Sequence, residues 1–105
     1  MAPNREQQIC LGTGGNECLN LLGDHIKEKE LQEYFSNYFK NVSINNPFGA
    51  KYPFTVSRYI SQSCKIPCVQ VEINCNLFIN KLISLKEIAK IFEGATNILA
   101  EKQHE

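Results

Sequence analysis

The chain has 105 residues, a length that holds one domain or part of one. Eleven Lys and Arg balance eleven Asp and Glu, so the formal charge is zero, against the basic excess usual in nucleic-acid modules. No apolar run approaches the ~18 residues of a membrane span, and the opening Met1-Ala2-Pro3-Asn4-Arg5-Glu6 lacks the apolar stretch of a secretory signal peptide.

Five cysteines are present: Cys10, Cys18, Cys64, Cys68 and Cys75. An odd number without a signal peptide predicts reduced thiols and a cytoplasmic location. Three residues separate Cys64 from Cys68, not the two of a CxxC knuckle, and only His25 and His104 could complete a site. No metal site is expected from this chain alone. Most of these cysteines read as small buried hydrophobes.

In chain order, Ile9-Cys10-Leu11 ending at Gly12 reads as a short buried strand, followed by the turn Thr13-Gly14-Gly15-Asn16. A helix is predicted from about Asp24, a candidate N-cap, to Lys40. Its apolar set is Ile26, Leu31, Tyr34, Phe35, Tyr38 and Phe39, opposite a wet face of Glu28, Lys29, Glu30, Gln32 and Glu33. Asn41 ends that helix, and Val42-Ser43-Ile44 alternates as a second strand. Asn45-Asn46-Pro47-Phe48-Gly49 is turn chemistry. Pro53 can open a shorter helix running to about Ser63. Ile66 to Asn74 is the clearest strand: Val69, Val71 and Ile73 alternate with Cys68, Gln70, Glu72 and Asn74. Ser84 with Glu87 forms a capping box for a last helix whose apolar face is Leu85, Ile88, Phe92, Ala95 and Leu99, with Gly94 a weak point inside it.

Strands alternating with helices predict an α/β domain with a small, mainly parallel sheet. Strands Ile9–Leu11, Val42–Ile44 and Cys68–Ile73 should lie in it, and the last helix should pack its apolar face on it. Parallel sheets are normally covered on both faces, so a three-layer α/β/α arrangement follows. Three strands make a small sheet of this kind. The chain therefore reads as a single partial domain over 1–105 that self-associates or lacks another segment.

Gly12-Thr13-Gly14-Gly15 is not a phosphate loop: a dinucleotide fingerprint would need glycine at Glu17, and a Walker loop would need a Gly-Lys-Ser/Thr ending. Glu72 is the candidate catalytic group. It shares a strand face with Gln70 and Asn74 near the end where ligands bind parallel sheets, and a carboxylate there can act as general base. Its bland alternative is an edge glutamate paired with a lysine or with solvent. Arg58 has the guanidinium that clamps a substrate carboxylate, or is a surface arginine. The Asn45–Tyr52 segment lines a site or is a plain connection.

These residues also carry a family resemblance. Ile9-Cys10-Leu11-Gly12-Thr13 resembles the strand-ending LGT of the N-formylglutamate amidohydrolase family. Asn45-Asn46-Pro47-Phe48 with Tyr52 and Thr55 is similar to its N-x-P-F-x-G-G-Y-I-T loop. Pro67-Cys68-Val69-Gln70-Val71-Glu72-Ile73-Asn74 resembles its QlEiN strand, with Leu77 at a further apolar position. Order and spacing agree over roughly residues 8 to 100. The chain departs from the pattern at Gly14-Gly15, where Asp-His is common, at Ala50-Lys51 in place of the loop glycines, and at Cys75 in place of arginine.

The resemblance implies the C-terminal part of a phosphorylase/hydrolase-like fold. It also implies a zinc-dependent reaction that splits N-formyl-L-glutamate into formate and glutamate. Glu72 would be catalytic, and Arg58, Asn45, Tyr52, Thr55 and Asn74 would contact a small N-acyl amino acid. Zinc belongs to the intact family, whose ligands lie in an upstream half that has no counterpart here. A catalytic zinc needs about three protein ligands and an open position, so this chain by itself is expected to bind no cofactor and hydrolyse nothing. The rival reading is a non-catalytic binding or assembly module that keeps the scaffold.

Overall fold

The computed structural model describes residues 5–14, 21–22, 25–46 and 56–100, with backbone alone at 25 and 56–58. The elements are β1 (Ile9–Gly12), α1 (His25–Ser36), β2 (Val42–Ile44), α2 (Val56–Cys64), β3 (Gln70–Ile73), α3 (Asn76–Ile79) and α4 (Leu85–Ala100). They make a small α/β domain, and no helix among the described residues is long and apolar enough to cross a membrane.

The sheet has the order β2-β1-β3. β1 runs parallel to β2, pairing Ile9 with Val42 and Leu11 with Ile44, and antiparallel to β3, pairing Ile9 with Ile73 and Gly12 with Gln70. It is therefore mixed, which corrects the expectation of a mainly parallel sheet. The cause lies just before β3. Leu21 N–H donates to the Thr13 carbonyl at 2.8 Å, holding Leu21 beside the end of β1, and the Leu21 carbonyl accepts from Cys68 N–H at 2.9 Å. The chain leaving α2 thus enters the sheet at the C-terminal end of β1 and runs back along it. Side-chain alternation is the same in either direction, so the sequence pattern is blind to this choice. β3 is also shorter than expected, because beyond Gly12 the backbone of Cys68 bonds to Leu21 instead of to β1.

Ile9 and Leu11 project to one sheet face, with Val71 and Ile73 directly across from them, and that face meets α1 and α4. Leu31, Phe35 and Phe39 of the α1 segment and Ile91 and Ala95 of α4 close the core. Each fully buried side chain of this size contributes about 1.5–3 kcal/mol. Phe35 lies edge-on to Phe92 with ring centroids 5.8 Å apart. α1 packs against β2 and against α4, so α1 is the principal neighbour of α4. The expected contact face shifts accordingly. Ile88, Ile91 and Ala95 are buried whereas Leu85, at the first position, is 73% exposed. Ile26 and Tyr38, assigned to the core by helical spacing, are 68% and 55% exposed. α1 stops at Ser36, before Tyr38, and the chain then tightens through a Tyr38 N–H to Phe35 carbonyl bond of 3.0 Å. It turns away at Asn41, whose φ of 53° is the left-handed conformation that asparagine tolerates.

The two ends of α4 are fastened. At the start, Glu87 N–H donates to Ser84 Oγ at 3.1 Å, as a capping box requires. The return bond differs from the standard form, since the Ser84 hydroxyl donates to Glu87 Oε1 at 3.1 Å. Ser84→Ala removes both bonds and should cost about 1 kcal/mol in urea denaturation. An unchanged midpoint would show that the cap does not hold this helix. At the other end the buried Lys27 ammonium donates to the Ile98 and Leu99 carbonyls at 2.8 and 3.3 Å, where a cation complements the last turn of a helix.

Candidate functional site

The C-terminal ends of β1 and β2 lie side by side, and three side chains meet there. Asn45, which follows β2 with φ 58°, accepts from Thr13 N–H through Oδ1 at 2.8 Å. Its Nδ2 donates to Thr13 Oγ1 at 2.8 Å, and the Thr13 hydroxyl donates to Glu28 Oε2 at 2.9 Å. Asn45 N–H also donates to the Leu11 carbonyl at 2.8 Å, which extends the β1–β2 ladder by one step. Gly14 then takes φ 105°, a conformation open to glycine and not to a residue with a Cβ. The network ties the turn after β1, the turn after β2 and the first turn of α1 to one another. Thr13 is fully buried, so its hydroxyl is a fastening and not an exposed nucleophile.

Asn45 was the member of this cluster visible in the sequence as a site candidate. Thr13 appeared only as part of a turn, and Glu28 only as part of a wet helix face. The partial signal was topological: β1, α1 and β2 form one parallel crossover unit, which brings the strand ends close to the helix start.

Glu72 lies opposite Cys10 on β1, on the sheet face turned away from Val71 and Ile73. It is half-buried, and Gln70 Nε2 donates to its Oε1 at 2.8 Å. Because β3 is antiparallel to β1, the C-terminal end of β3 lies at the start of β1. Asn74 and Asn45 therefore sit at opposite ends of the sheet. Asn74, 2% exposed, gives its amide to the chain's own backbone. Nδ2 donates to the carbonyls of Arg5 and Gln7 at 3.1 and 3.0 Å, and Oδ1 accepts from Asn76 N–H at 2.9 Å. Arg58 is placed on α2 by its backbone, while Tyr52 and Thr55 lie outside the described residues.

Of the cysteines described, Cys10 is buried, Cys68 and Cys75 are half-buried and Cys64 is exposed, so the buried reading holds for Cys10 alone. Burial, with Cys64 nearby, pushes the Cys68 thiol above its ordinary value and keeps it protonated. Burial, with Tyr38 beside it, likewise raises the Tyr34 phenol. Among the described residues no three of His, Cys, Asp and Glu converge. A groove of about 320 Å³ lies elsewhere, lined by Tyr38, Glu87, Lys90 and Ile91, and includes none of the site residues read from the sequence.

No protein-family profile, curated protein or solved structure matches this chain.

Proposed function

We propose that this chain is a portion or shortened relative of a zinc-dependent amide hydrolase resembling N-formylglutamate amidohydrolase, inactive by itself; the rival reading is a non-catalytic binding or assembly module that keeps the scaffold. In the hydrolase reading the strands belong to a larger three-layer α/β/α sheet in the cytoplasm. A missing half would supply the zinc ligands, with Glu72 as base and Arg58, Tyr52 and Thr55 facing the N-acyl amino acid. The observation that supports inactivity alone is the use made of the two asparagines. Asn45 is closed into the Thr13–Glu28 network and Asn74 into the backbone of residues 5–7 and 76, at opposite ends of the sheet from each other. Neither amide is turned toward Glu72 as a substrate contact.

The test is formate release from N-formyl-L-glutamate with zinc supplied. The chain alone should release none above background. A longer chain carrying an upstream, ligand-bearing half should gain activity, and Glu72→Gln should lower it by about 10²–10⁴-fold, as loss of a general base does. Glu72-dependent turnover by the short chain would overturn the module reading. A longer chain equally active with Gln at 72 would remove Glu72 from the mechanism.

A further inference from the structure

The stretch from Leu77 to Leu85, which joins α3 to α4, divides its apolar side chains between core and solvent. Leu77 is buried and Ile83 packs against the core. Phe78, Ile79, Leu82 and Leu85 are 40%, 65%, 61% and 73% exposed. One exposed large apolar residue is ordinary, whereas four so close in the chain make a patch. The turn that carries them is tight. Leu82 N–H donates to the Leu77 carbonyl at 2.9 Å and Lys81 N–H to the Phe78 carbonyl at 3.2 Å, the two bonds that close a helix in a Schellman motif. Lys81 takes the left-handed position of that motif, with φ 53°. Ser84 then caps α4. The turn is hydrogen-bonded and anchored at Leu77 and Ile83, so its remaining apolar side chains are held outward.

The charge of this tip has one sign. From residue 73 to residue 86 the charged residues are Lys81 and Lys86, both exposed. The next acid, Glu87, accepts the Ser84 hydroxyl through Oε1. The tip is therefore apolar and cationic on a chain whose formal charge is zero. We propose that it docks on the surface of an anionic lipid bilayer, with Phe78, Ile79, Leu82 and Leu85 entering the boundary between headgroups and acyl chains and Lys81 and Lys86 among the headgroups. This is attachment to a surface and not a span, for which no described helix is long and apolar enough. The apolar groups gain by leaving water, and each lysine adds attraction to anionic headgroups while its ammonium stays wet. A protein partner suits the tip less well, because lysine is depleted at the core of such interfaces. A second copy docked through the same tip about a two-fold axis would bring lysines of like charge together. The inference goes beyond the hydrolase reading and does not depend on it.

Flotation of the full chain with lipid vesicles tests this. One set is phosphatidylcholine alone, and the other carries roughly one-third phosphatidylserine. The chain should float with the anionic vesicles and stay behind with the neutral ones. Ile79→Ser with Leu82→Ser should lower the partition coefficient by about tenfold or more, with native far-ultraviolet circular dichroism. Lys81→Asn with Lys86→Gln should lower it about tenfold, asparagine being chosen because it tolerates the left-handed turn. The chain contains no tryptophan, so Leu82→Trp adds a single reporter whose emission should shift to the blue on anionic vesicles. That shift decides the matter if the serine pair does not fold. Equal flotation with both vesicles, or flotation indifferent to both pairs of substitutions, would overturn the proposal. A dimer in sedimentation velocity that the serine pair dissolves, without flotation, would assign the tip to a second copy and overturn the lipid reading. Absence of both flotation and dimer would overturn it in favour of a protein partner.

Discussion

Gly94→Ala should destabilise the protein by about 1–2 kcal/mol, the reverse of its effect in an exposed helix. Alanine normally gains about 0.5–1 kcal/mol over glycine inside a helix, through backbone entropy. At this position a Cβ would overlap the Tyr34 hydroxyl and come within 2.8 Å of Tyr34 Cζ and 3.3 Å of Cε1. Tyr34 is not free to swing aside without loss. Its hydroxyl donates to the Ile91 carbonyl at 2.6 Å, and its ring stands edge-on to Phe35 with centroids 5.5 Å apart. Glycine is thus the residue that lets α1 and α4 approach closely at this point. Overpacking a close contact of this kind typically costs about 1–3 kcal/mol, more than the helix propensity returns. A loss of this size lowers the melting temperature of a domain this long by about 4–12 °C. The sharper check is a double-mutant cycle. In a Tyr34→Ala background the overlap is gone, and Gly94→Ala should turn neutral or stabilising. The same penalty in both backgrounds would show that the Tyr34 contact is not the cause.

Asn74→Ala should be the more damaging change, costing about 2–4 kcal/mol. The side chain is 2% exposed and makes three hydrogen bonds, to the Arg5 and Gln7 carbonyls and from Asn76 N–H. Each is worth about 0.5–1.5 kcal/mol net, and backbone groups left buried without partners add their desolvation. Those bonds hold residues 5–7 beside the sheet and begin α3, so the loss spreads along two segments. Asn74→Asp separates the parts. A carboxylate keeps the acceptor for Asn76 N–H but faces the Arg5 and Gln7 carbonyls without a donor. Its folded-state acidity is weakened relative to the unfolded chain, so the Asp variant should be more stable in acid and lose that stability as pH rises. Urea denaturation of the three proteins between acid and neutral pH is the measurement. A loss under about 1 kcal/mol for the alanine variant would mean that water replaces the amide.

Local chemistry made several elements legible. Ile9–Gly12 is short, apolar and closed by a glycine-rich turn, and it forms β1. Val42–Ile44 alternates and forms β2 over those same residues. Ser84 and Glu87 mark a helix start by a bond that acts across three residues, and α4 begins at Leu85. Short-range signals of this kind need no knowledge of the rest of the chain. Helical spacing was a poorer guide to what is buried. Ile26, Tyr38 and Leu85 fit an apolar stripe, yet each is more than half exposed. Periodicity reports the direction of a side chain on its own helix, and burial depends on what stands opposite.

The candidate site divides along the same line. The residue types at Glu72, Asn45 and Asn74 and the alternation that puts Glu72 with Gln70 are properties of the sequence. Whether those residues face one another depends on strand direction. A strand's side-chain pattern does not encode direction, because a two-residue period reads the same from either end. The Leu21–Cys68 backbone bond makes β3 run back along β1 and parts Asn45 from Asn74 by the length of the sheet. Nor could composition reveal that Gly94 stands against Tyr34, 60 residues away in the chain, or that the buried Lys27 closes the far end of α4. The sequence by itself determined an α/β domain, the order of its elements apart from the short α3, and most strand and helix locations, because propensity, capping and turn chemistry act over a few residues. Tertiary structure alone decided the mixed sheet, the α1–α4 contact and the placing of the site residues. Those depend on which distant groups meet, and the free energy of such meetings is set by packing across the whole fold.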